Sequence, residues 1–445
     1  MSSLKKLAIR GALWTFIGYG SSQILRLGSN LILTRLLVPE VFGLMALVNT
    51  FIIGLNLFSD VGINPSIIQN RKGEEPEFYN TAWTLQVIRG FGIWIACIAI
   101  AYPVSIFYEN PELKWLIPIL GLNSIVSGFQ STSLPLLSKR VKVSISTSFE
   151  LVVQLISLTI MVLLVWFYRS IWSLVIASII SQIVRTIISH KLIPEVKNRF
   201  TWDQESLKEL FSFGKWIFIS TAITFFAMQS DRLILGRLFP IEILGIYTIA
   251  FTFADIPIGV INRINGSVVF PVVSQLKDLS RQELRQKIIE KRKLILILGI
   301  TLVVLLTCSG DLLVLNLYDE RYKDAAWMLQ ILAVGIWPNL LAVTMRSVQL
   351  GIGKPMYGAY GYLLKFIYMV VMLPFVTNIM GIFGAILVIA FNDIPFYIAV
   401  QYGLWKEELL TIKQDFWATL FLIFLISIIL FIRYYLGLNL TLPSN

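Results

Sequence analysis

The chain has 445 residues, is 56% hydrophobic and only 14% charged, and its mean hydropathy of +0.76 exceeds what a soluble domain with a wettable surface tolerates. Its formal charge is +11, but the excess sits between the apolar runs, so no single basic face for nucleic acid is present. Two cysteines, Cys97 and Cys308, lie far apart inside apolar segments, and the one histidine, His190, sits at the end of such a segment, which points to neither a disulfide framework nor a metal site, and no cofactor is expected.

The runs have membrane-spanning length. Lys5, Lys6 and Arg10 precede the first, about Gly11 to Leu33, and place the N-terminus in the cytoplasm. This run is too long for a cleavable signal and lacks a small-residue cleavage pattern, so it reads as a span. Span 2 (about Val41 to Val61) returns to a polar loop with Arg71 and Lys72, and span 3 covers about Tyr79 to Val104. Span 4 (about Leu116 to Leu137) ends at Lys139, Arg140 and Lys142, a cytoplasmic cluster that agrees with the parity. Spans 5 (about Ile145 to Trp166) and 6 (about Ile171 to Ile188) complete a first half.

A linker with Lys197, Arg199 and Lys208 among Trp202, Leu207 and Leu210 reads as an amphipathic helix on the membrane surface. Span 7 (about Phe211 to Leu235) and span 8 (about Leu244 to Val269) follow, then a loop with Lys277, Arg281, Arg285, Lys287, Lys291, Arg292 and Lys293, whose Ser280 and Glu283 form a capping-box pair and predict a short helix. Spans 9 (about Leu294 to Leu317), 10 (about Ala325 to Val348), 11 (about Tyr357 to Val376) and 12 (about Gly381 to Tyr402) lead to a last run, about Trp417 to Leu436, as a thirteenth. The expected organisation is a six-span bundle over 1–193, a cytoplasmic linker over 194–210, a second six-span bundle over 211–403, and an additional span and tail over 404–445.

The halves repeat each other. LILTRLLVPEVFGLMAL (Leu31 to Leu47) returns as LILGRLFPIEILGIYTI (Leu233 to Ile249), 202 positions on; in the same register Trp14 falls on Trp216, Arg35 on Arg237, Glu40 on Glu242, Gly43 on Gly245 and Phe51 on Phe253. Duplicated bundles suit a transporter that opens a shared cavity to either side by rocking one half against the other.

Ionisable residues inside the spans are the candidate site, since a charge at bilayer depth costs at least about 2.5 kcal/mol and needs a partner or water. Arg26 sits in a polar, small-residue stretch of span 1 (Gly18 to Gln23, then Gly28 to Asn30), and Arg89 lies about ten residues into span 3; neither has an acid in its own span. Arg263 is near the cytoplasmic end of span 8, and Lys365 in span 11 is near the depth of Asp393 in span 12. Arg26, Arg89, Arg263 and Lys365 are the candidate substrate cations; Asp255 and Asp393 are candidates for ion coupling. A structural pairing of Lys365 with Asp393, or of Asp255 with Arg263, is the competing reading, as is snorkelling for Arg185, Lys215 and Arg263. Cations around a wet cleft would hold a pyrophosphate through paired hydrogen bonds.

The opening segment with Trp14, the elements LLVPE (Leu36 to Glu40) and FG (Phe42, Gly43), and FGKW (Phe213 to Trp216), QSDRLILG (Gln229 to Gly236) and EILGIY in the second half resemble the polysaccharide transporters of the MOP flippase superfamily, the Wzx-like oligosaccharide flippases. The resemblance runs over essentially the whole chain. It implies an all-α polytopic membrane protein, two pseudo-repeated six-helix bundles around a central cavity plus about one extra C-terminal span, working by alternating access without catalysis. It further implies export of undecaprenyl-pyrophosphate-linked oligosaccharides across the bacterial cytoplasmic membrane for O-antigen, capsule or exopolysaccharide, amid membrane lipids, with a polymerase and glycosyltransferases as candidate partners. Relatives that flip the peptidoglycan precursor use arginines in spans one and eight, where Arg26 and Arg263 fall. An odd span count departs from the even number usual in the superfamily. The alternatives are a drug or metabolite antiporter of the superfamily, which would favour acidic cavity residues, and a membrane glycosyltransferase or polymerase, which would need a larger outward loop than any present here.

Overall fold

The duplicated stretch folds the same way twice. In the computed structural model, which describes residues 3–438 except 61, 215–216, 270–271, 274–275 and 277–278, helix α1 (Ser3–Leu36) is followed after two residues by α2 (Pro39–Phe58). Helices α10 (Ile217–Leu238) and α11 (Ile241–Ala254) end and begin 202 positions later in the same register. A proline starts each second helix, Pro39 inside α2 and Pro240 just before α11, where a missing N–H costs nothing because first-turn donors have no intrahelical partner. Trp216, Lys215 and Lys277 lie outside the described residues.

The copies then diverge. Helix α2 runs on to Phe58, whereas α11 stops at Ala254 and α12 (Ile256–Ile264) takes over beyond Asp255. Pro257 stands where the first copy has Leu55, and a proline ring both lacks the donor for the residue four back and collides with its carbonyl.

The chain divides into two compact units, Met1–Ala222 and Ile223–Asn445. The first contains α1, α2, α3 (Ile63–Gln69), a 3₁₀ turn (Arg71–Glu74), α4 (Pro76–Phe107), α5 (Leu113–Gly128), α6 (Ser133–Lys139), α7 (Val143–Tyr168), α8 (Ile171–Ser189) and α9 (Gln204–Gly214). Helix α4 packs along α5, α7 lies between α1 and α8, and α5 also meets α8. The α4–α5 crossing is tight enough that a Cβ on Gly90 would stand 2.4 Å from the Ser124 carbonyl oxygen, so only glycine fits.

The second unit continues through α12, a π-helical turn (Asn265–Val269), α13 (Arg281–Leu317), α14 (Ala325–Gly335), α15 (Trp337–Gly351), α16 (Met356–Ala390), α17 (Ile394–Lys406) and α18 (Ile412–Tyr435). Ser280 and Glu283 pair as the helix N-cap: the Ser280 hydroxyl accepts from the Glu283 amide at 3.3 Å and donates to the Glu283 carboxylate at 3.0 Å. It opens no separate short helix, however, but the 37-residue α13, which rises without a break into the span.

Among the described residues, eight helical stretches are long and apolar enough to cross a membrane, or nine if the pair Glu320–Gly335 and Trp337–Gly351, bent by 40°, counts as one. The thirteen sequence runs exceed this for physical reasons. Runs 11 and 12 form one 51-residue stretch, Met356–Lys406, whose length of about 75 Å suffices for two crossings and which turns at Gly381, where φ is 58° and ψ −144°. Helix α5 has only 16 residues, and α1 and α10 carry the polar groups around Arg26 and Asp231. Large apolar side chains such as Trp166, Phe167, Phe424 and Phe431 are exposed, as a surface solvated by lipid requires.

The amphipathic linker helix forms only from Gln204 onward. Upstream, the Arg199, Thr201 and Asp203 amides donate to Asn80 Oδ1, Thr84 Oγ1 and Thr81 Oγ1 on α4, at 3.0, 3.0 and 3.2 Å, so this backbone is satisfied without a helix. Asp203 then caps α9 by accepting from the Ser206 amide at 2.7 Å.

Candidate functional site

In the second unit three helix breaks converge. Asp255 separates α11 from α12, Ile336 separates α14 from α15, and Phe391 to Asp393 separate α16 from α17. In each case a proline is the second residue of the next helix: Pro257, Pro338 and Pro395. Asp255, Ile336 and Asp393 all line one cavity of about 340 Å³. Broken helices at membrane depth are tolerated where the interrupted backbone is buried in protein or faces a cavity, and transporter sites are characteristically built there.

The lining is densely polar for a membrane interior. Lys365 Nζ donates to Asp393 Oδ1 at 2.7 Å, both side chains being at least nine-tenths buried, and Asn339 Nδ2 donates to Asp393 Oδ2 at 2.8 Å. Arg346 Nη1 donates to the Tyr362 hydroxyl at 2.7 Å, with the guanidinium 5.0 Å from that ring's centre and Tyr362 itself stacked on Phe396. From α10, Asp231 reaches the same cavity at 5% exposure; its Oδ2 accepts from the Tyr247 hydroxyl while its Oδ1 is buried with no donor. The charged lining residues are three carboxylates, Asp231, Asp255 and Asp393, against two cations, Lys365 and Arg346. Of the three carboxylates Asp231 and Asp393 are buried and Asp255 is exposed, and a carboxylate cluster with one buried, unsatisfied oxygen is chemically a place for a proton or a small cation.

Of the six candidate residues, Lys365, Asp255 and Asp393 come together here. Lys365 is engaged by Asp393 rather than left open for an anion. Arg263, at the C-terminal end of α12, is exposed and outside the lining. Arg26 and Arg89 belong to the first unit. Arg26 is exposed on α1, and its guanidinium has no hydrogen-bond or ion-pair partner among the described residues. Arg89 is half-buried: Nε donates to Ser59 Oγ at 3.0 Å and Nη2 to the Asn56 carbonyl at 2.6 Å, so it caps the last turn of α2.

Sequence reasoning missed Asp231 and Arg346, although both obey the rule that exposed the others, an ionisable group inside an apolar run; Asp231 stands in the QSDRLILG element itself. It also missed two buried ion pairs joining α13 to α18, Arg292 with Asp415 and Arg433 with Asp311. Arg185, read as snorkelling, instead holds Glu150 through both of its terminal nitrogens, at 2.8 and 2.5 Å.

The family described as "Polysaccharide biosynthesis protein" matches residues 32–327. The chain is 22% identical over 335 residues to the teichuronic acid biosynthesis protein TuaB of Bacillus subtilis (strain 168), covering 75% of this chain and 69% of that one. It is 24% identical over 337 residues to the lipopolysaccharide biosynthesis protein WzxC of Escherichia coli (strain K12), covering 75% and 67%. The fold is similar to that of a solved structure of the lipid II flippase MurJ, with a TM-score of 0.74 at 14% identity over 97% of this chain and 94% of that one.

Proposed function

We propose, from the premise that this chain belongs to the polysaccharide biosynthesis protein family, that it carries lipid-linked oligosaccharide units across the bacterial cytoplasmic membrane for assembly of a surface polysaccharide. It is a multi-pass membrane protein, and in this reading it performs transport rather than bond-making. The N-terminus lies in the cytoplasm, the carrier is undecaprenyl pyrophosphate, and the glycosyltransferases that build the unit and the polymerase that consumes it act on either side.

The observation that carries this reading is Arg26: a guanidinium in the polar, small-residue stretch of α1, exposed and unpartnered among the described residues, beside Gln23 and Asn30. A planar fork of donors binds two phosphate oxygens at once, which is what drawing a pyrophosphate into a bilayer requires. Arg89 and Arg263 are further substrate cations in this proposal, whereas Lys365 is held by Asp393. The second-unit cavity then serves coupling: Asp255, Asp393 and the half-satisfied Asp231 take up a proton or sodium ion and bias the helices that break there.

In a host that depends on this chain, Arg26→Ala and Arg89→Ala are expected to abolish surface polysaccharide at unchanged protein level and membrane insertion. Full polymer output from both variants would remove the substrate-lining idea. Asn variants of Asp255 and Asp393 are expected to lose dependence on an imposed ion gradient, and retention of that dependence counts against coupling here. The acidic balance of this cavity also suits a cationic-drug antiporter of the same fold, which efflux of a cationic dye without glycan export would reveal.

A further inference from the structure

The first unit holds its own cavity, of about 560 Å³, between α1, α2, α7 and α8, within the range of small-ligand sites. Helix α7 presents Glu150, Gln154 and Ser157 to it, and α8 presents Ser178, Ser181, Gln182 and Arg185. These spacings of three and four residues put each set on one helical stripe. Both helices are otherwise apolar enough to span a membrane, so each sets a polar stripe against the hydropathy of the rest of its length. Such a stripe is stable only against water, protein partners or a polar ligand.

Protein partners account for part of it. Ser178 accepts from Asn123 Nδ2 at 2.8 Å, and Gln154 donates to the Ser22 carbonyl at 2.9 Å. The side chains of Ser157, Ser181 and Gln182, with Asn49 on α2, make no hydrogen bond among the described residues, although all four line the cavity. The two ionised groups of the lining neutralise each other, since Glu150 and Arg185 form a two-point ion pair with Arg185 also lying 5.3 Å from the Phe149 ring centre. Phe42 and Met45 on α2, with Leu33, Val153 and Leu174, supply the apolar part of the lining. Uncharged hydroxyls and amides, a self-cancelled ion pair and an aromatic face describe a surface for a neutral, hydroxyl-rich ring with one apolar face, and not for a phosphate.

We infer that this first-unit cavity is a subsite for an uncharged sugar residue of the transported glycan, with Ser157, Ser181, Gln182 and Asn49 reading its hydroxyls. The inference rests on the proposed function and deepens it, because the site would recognise the glycan rather than its lipid carrier. Four uncommitted side chains give the selectivity its chemical basis: a site built to hydrogen-bond hydroxyls discriminates strongly against a ligand that lacks them.

The test uses the purified full chain in lipid nanodiscs and two probes, undecaprenyl pyrophosphate and the same lipid bearing N-acetylglucosamine. The wild-type chain is expected to bind the glycosylated lipid at least about tenfold more tightly, the hydrogen bonds to the sugar supplying the difference. Ser157→Leu/Ser181→Leu, which fills the cavity, is expected to bring that ratio near one while leaving affinity for the bare lipid unchanged. Ser157→Ala/Ser181→Ala, which removes the hydroxyls without adding bulk, carries the same expectation and stands in if the leucine variant does not fold. Equal loss for both lipids, or an unchanged ratio in the alanine variant, overturns the subsite. A wild-type chain that binds both lipids equally overturns it while leaving the proposed function intact; one that binds neither removes both.

Discussion

Lys365 and Asp393 each remove from water a charge that neither keeps cheaply alone, and the 2.7 Å contact between them is what makes their burial tolerable. The geometry has a consequence for mutation that differs from simple contact loss. Lys365→Met leaves Asp393 with one amide donor and an uncompensated charge, which is expected to destabilise the protein by about 3 to 5 kcal/mol. Lys365→Met/Asp393→Leu removes both charges and is expected to recover most of that loss, read as the thermal unfolding midpoint in detergent. Additive losses in the double variant would mean that the two residues act independently. The pairing was legible in the sequence, since both residues stand near mid-depth of adjacent runs, but its choice over an anion ligand was not. That choice depends on Asn339 taking the second carboxylate oxygen, a partner 54 positions away that no local pattern announces. Arg89 illustrates the same limit: its span holds no acid, yet it bonds a hydroxyl and a backbone carbonyl at the end of α2 and lies within electrostatic reach of Asp60, groups that a search within its own span passes over.

The signal for the helix breaks is written in the sequence as a repeated Asp-Ile-Pro, at Asp255 to Pro257 and again at Asp393 to Pro395. Hydropathy runs straight through both, because the residues on either side are as apolar as any span, and so the runs look continuous by hydropathy alone. The proline two positions beyond each acid forces the interruption that brings the carboxylate to the cavity. Pro257→Ala and Pro395→Ala let the helix close over the break; the expected result is equal or higher stability, by up to about 3 kcal/mol each, with transport reduced roughly tenfold or more. Full transport by both variants would show that the breaks are not needed. Outside the membrane, α9 is tied to the 3₁₀ turn by Lys72, which bonds Glu205 at 2.7 Å and Glu209 at 3.3 Å, and by Asn70, which donates to Glu209. The hydrogen bond from Asn70 holds the Glu209 carboxyl below its ordinary range, and the bond to Glu205 holds the Lys72 ammonium above its own. A lowered carboxyl stabilises the fold above its unfolded value and loses that contribution as pH falls; a raised ammonium does so below its unfolded value and loses it as pH rises. Hydrogen-exchange protection of α9, relative to a Glu209→Gln variant, is therefore expected to be flat between about pH 5 and pH 10 and to decline below about pH 4.

At the scale of the whole chain, run lengths and the 202-residue repeat made the polytopic helical architecture readable, because both are properties of a stretch of sequence taken alone. Which helices touch, and in what direction, depends on pairs distant in sequence, more than a hundred positions apart in the case of α13 and α18. The final helix shows what is at stake. Nineteen positions separate Arg292 from Asp311 on α13, and 18 separate Asp415 from Arg433 on α18, so the two pairs lie about 27 to 29 Å apart along both helices. The order of pairing means that α13 and α18 run in the same direction, as three intervening crossings require. Reversing α18 would set arginine against arginine and aspartate against aspartate, so the charges specify its orientation as well as its attachment. This matters because most of the α18 surface is exposed and apolar, a face that lipid solvates equally well in either direction. Arg292→Asp places two carboxylates together in a buried network that also includes Tyr397 and Gln401, and is expected to abolish accumulation of folded protein. Arg292→Asp/Asp415→Arg restores opposite charge at that end and is expected to recover a measurable share of membrane-inserted, monodisperse chain. Failure of the swap alongside full rescue by Arg292→Met/Asp415→Leu would show that α18 is held by packing alone and that its direction is set elsewhere.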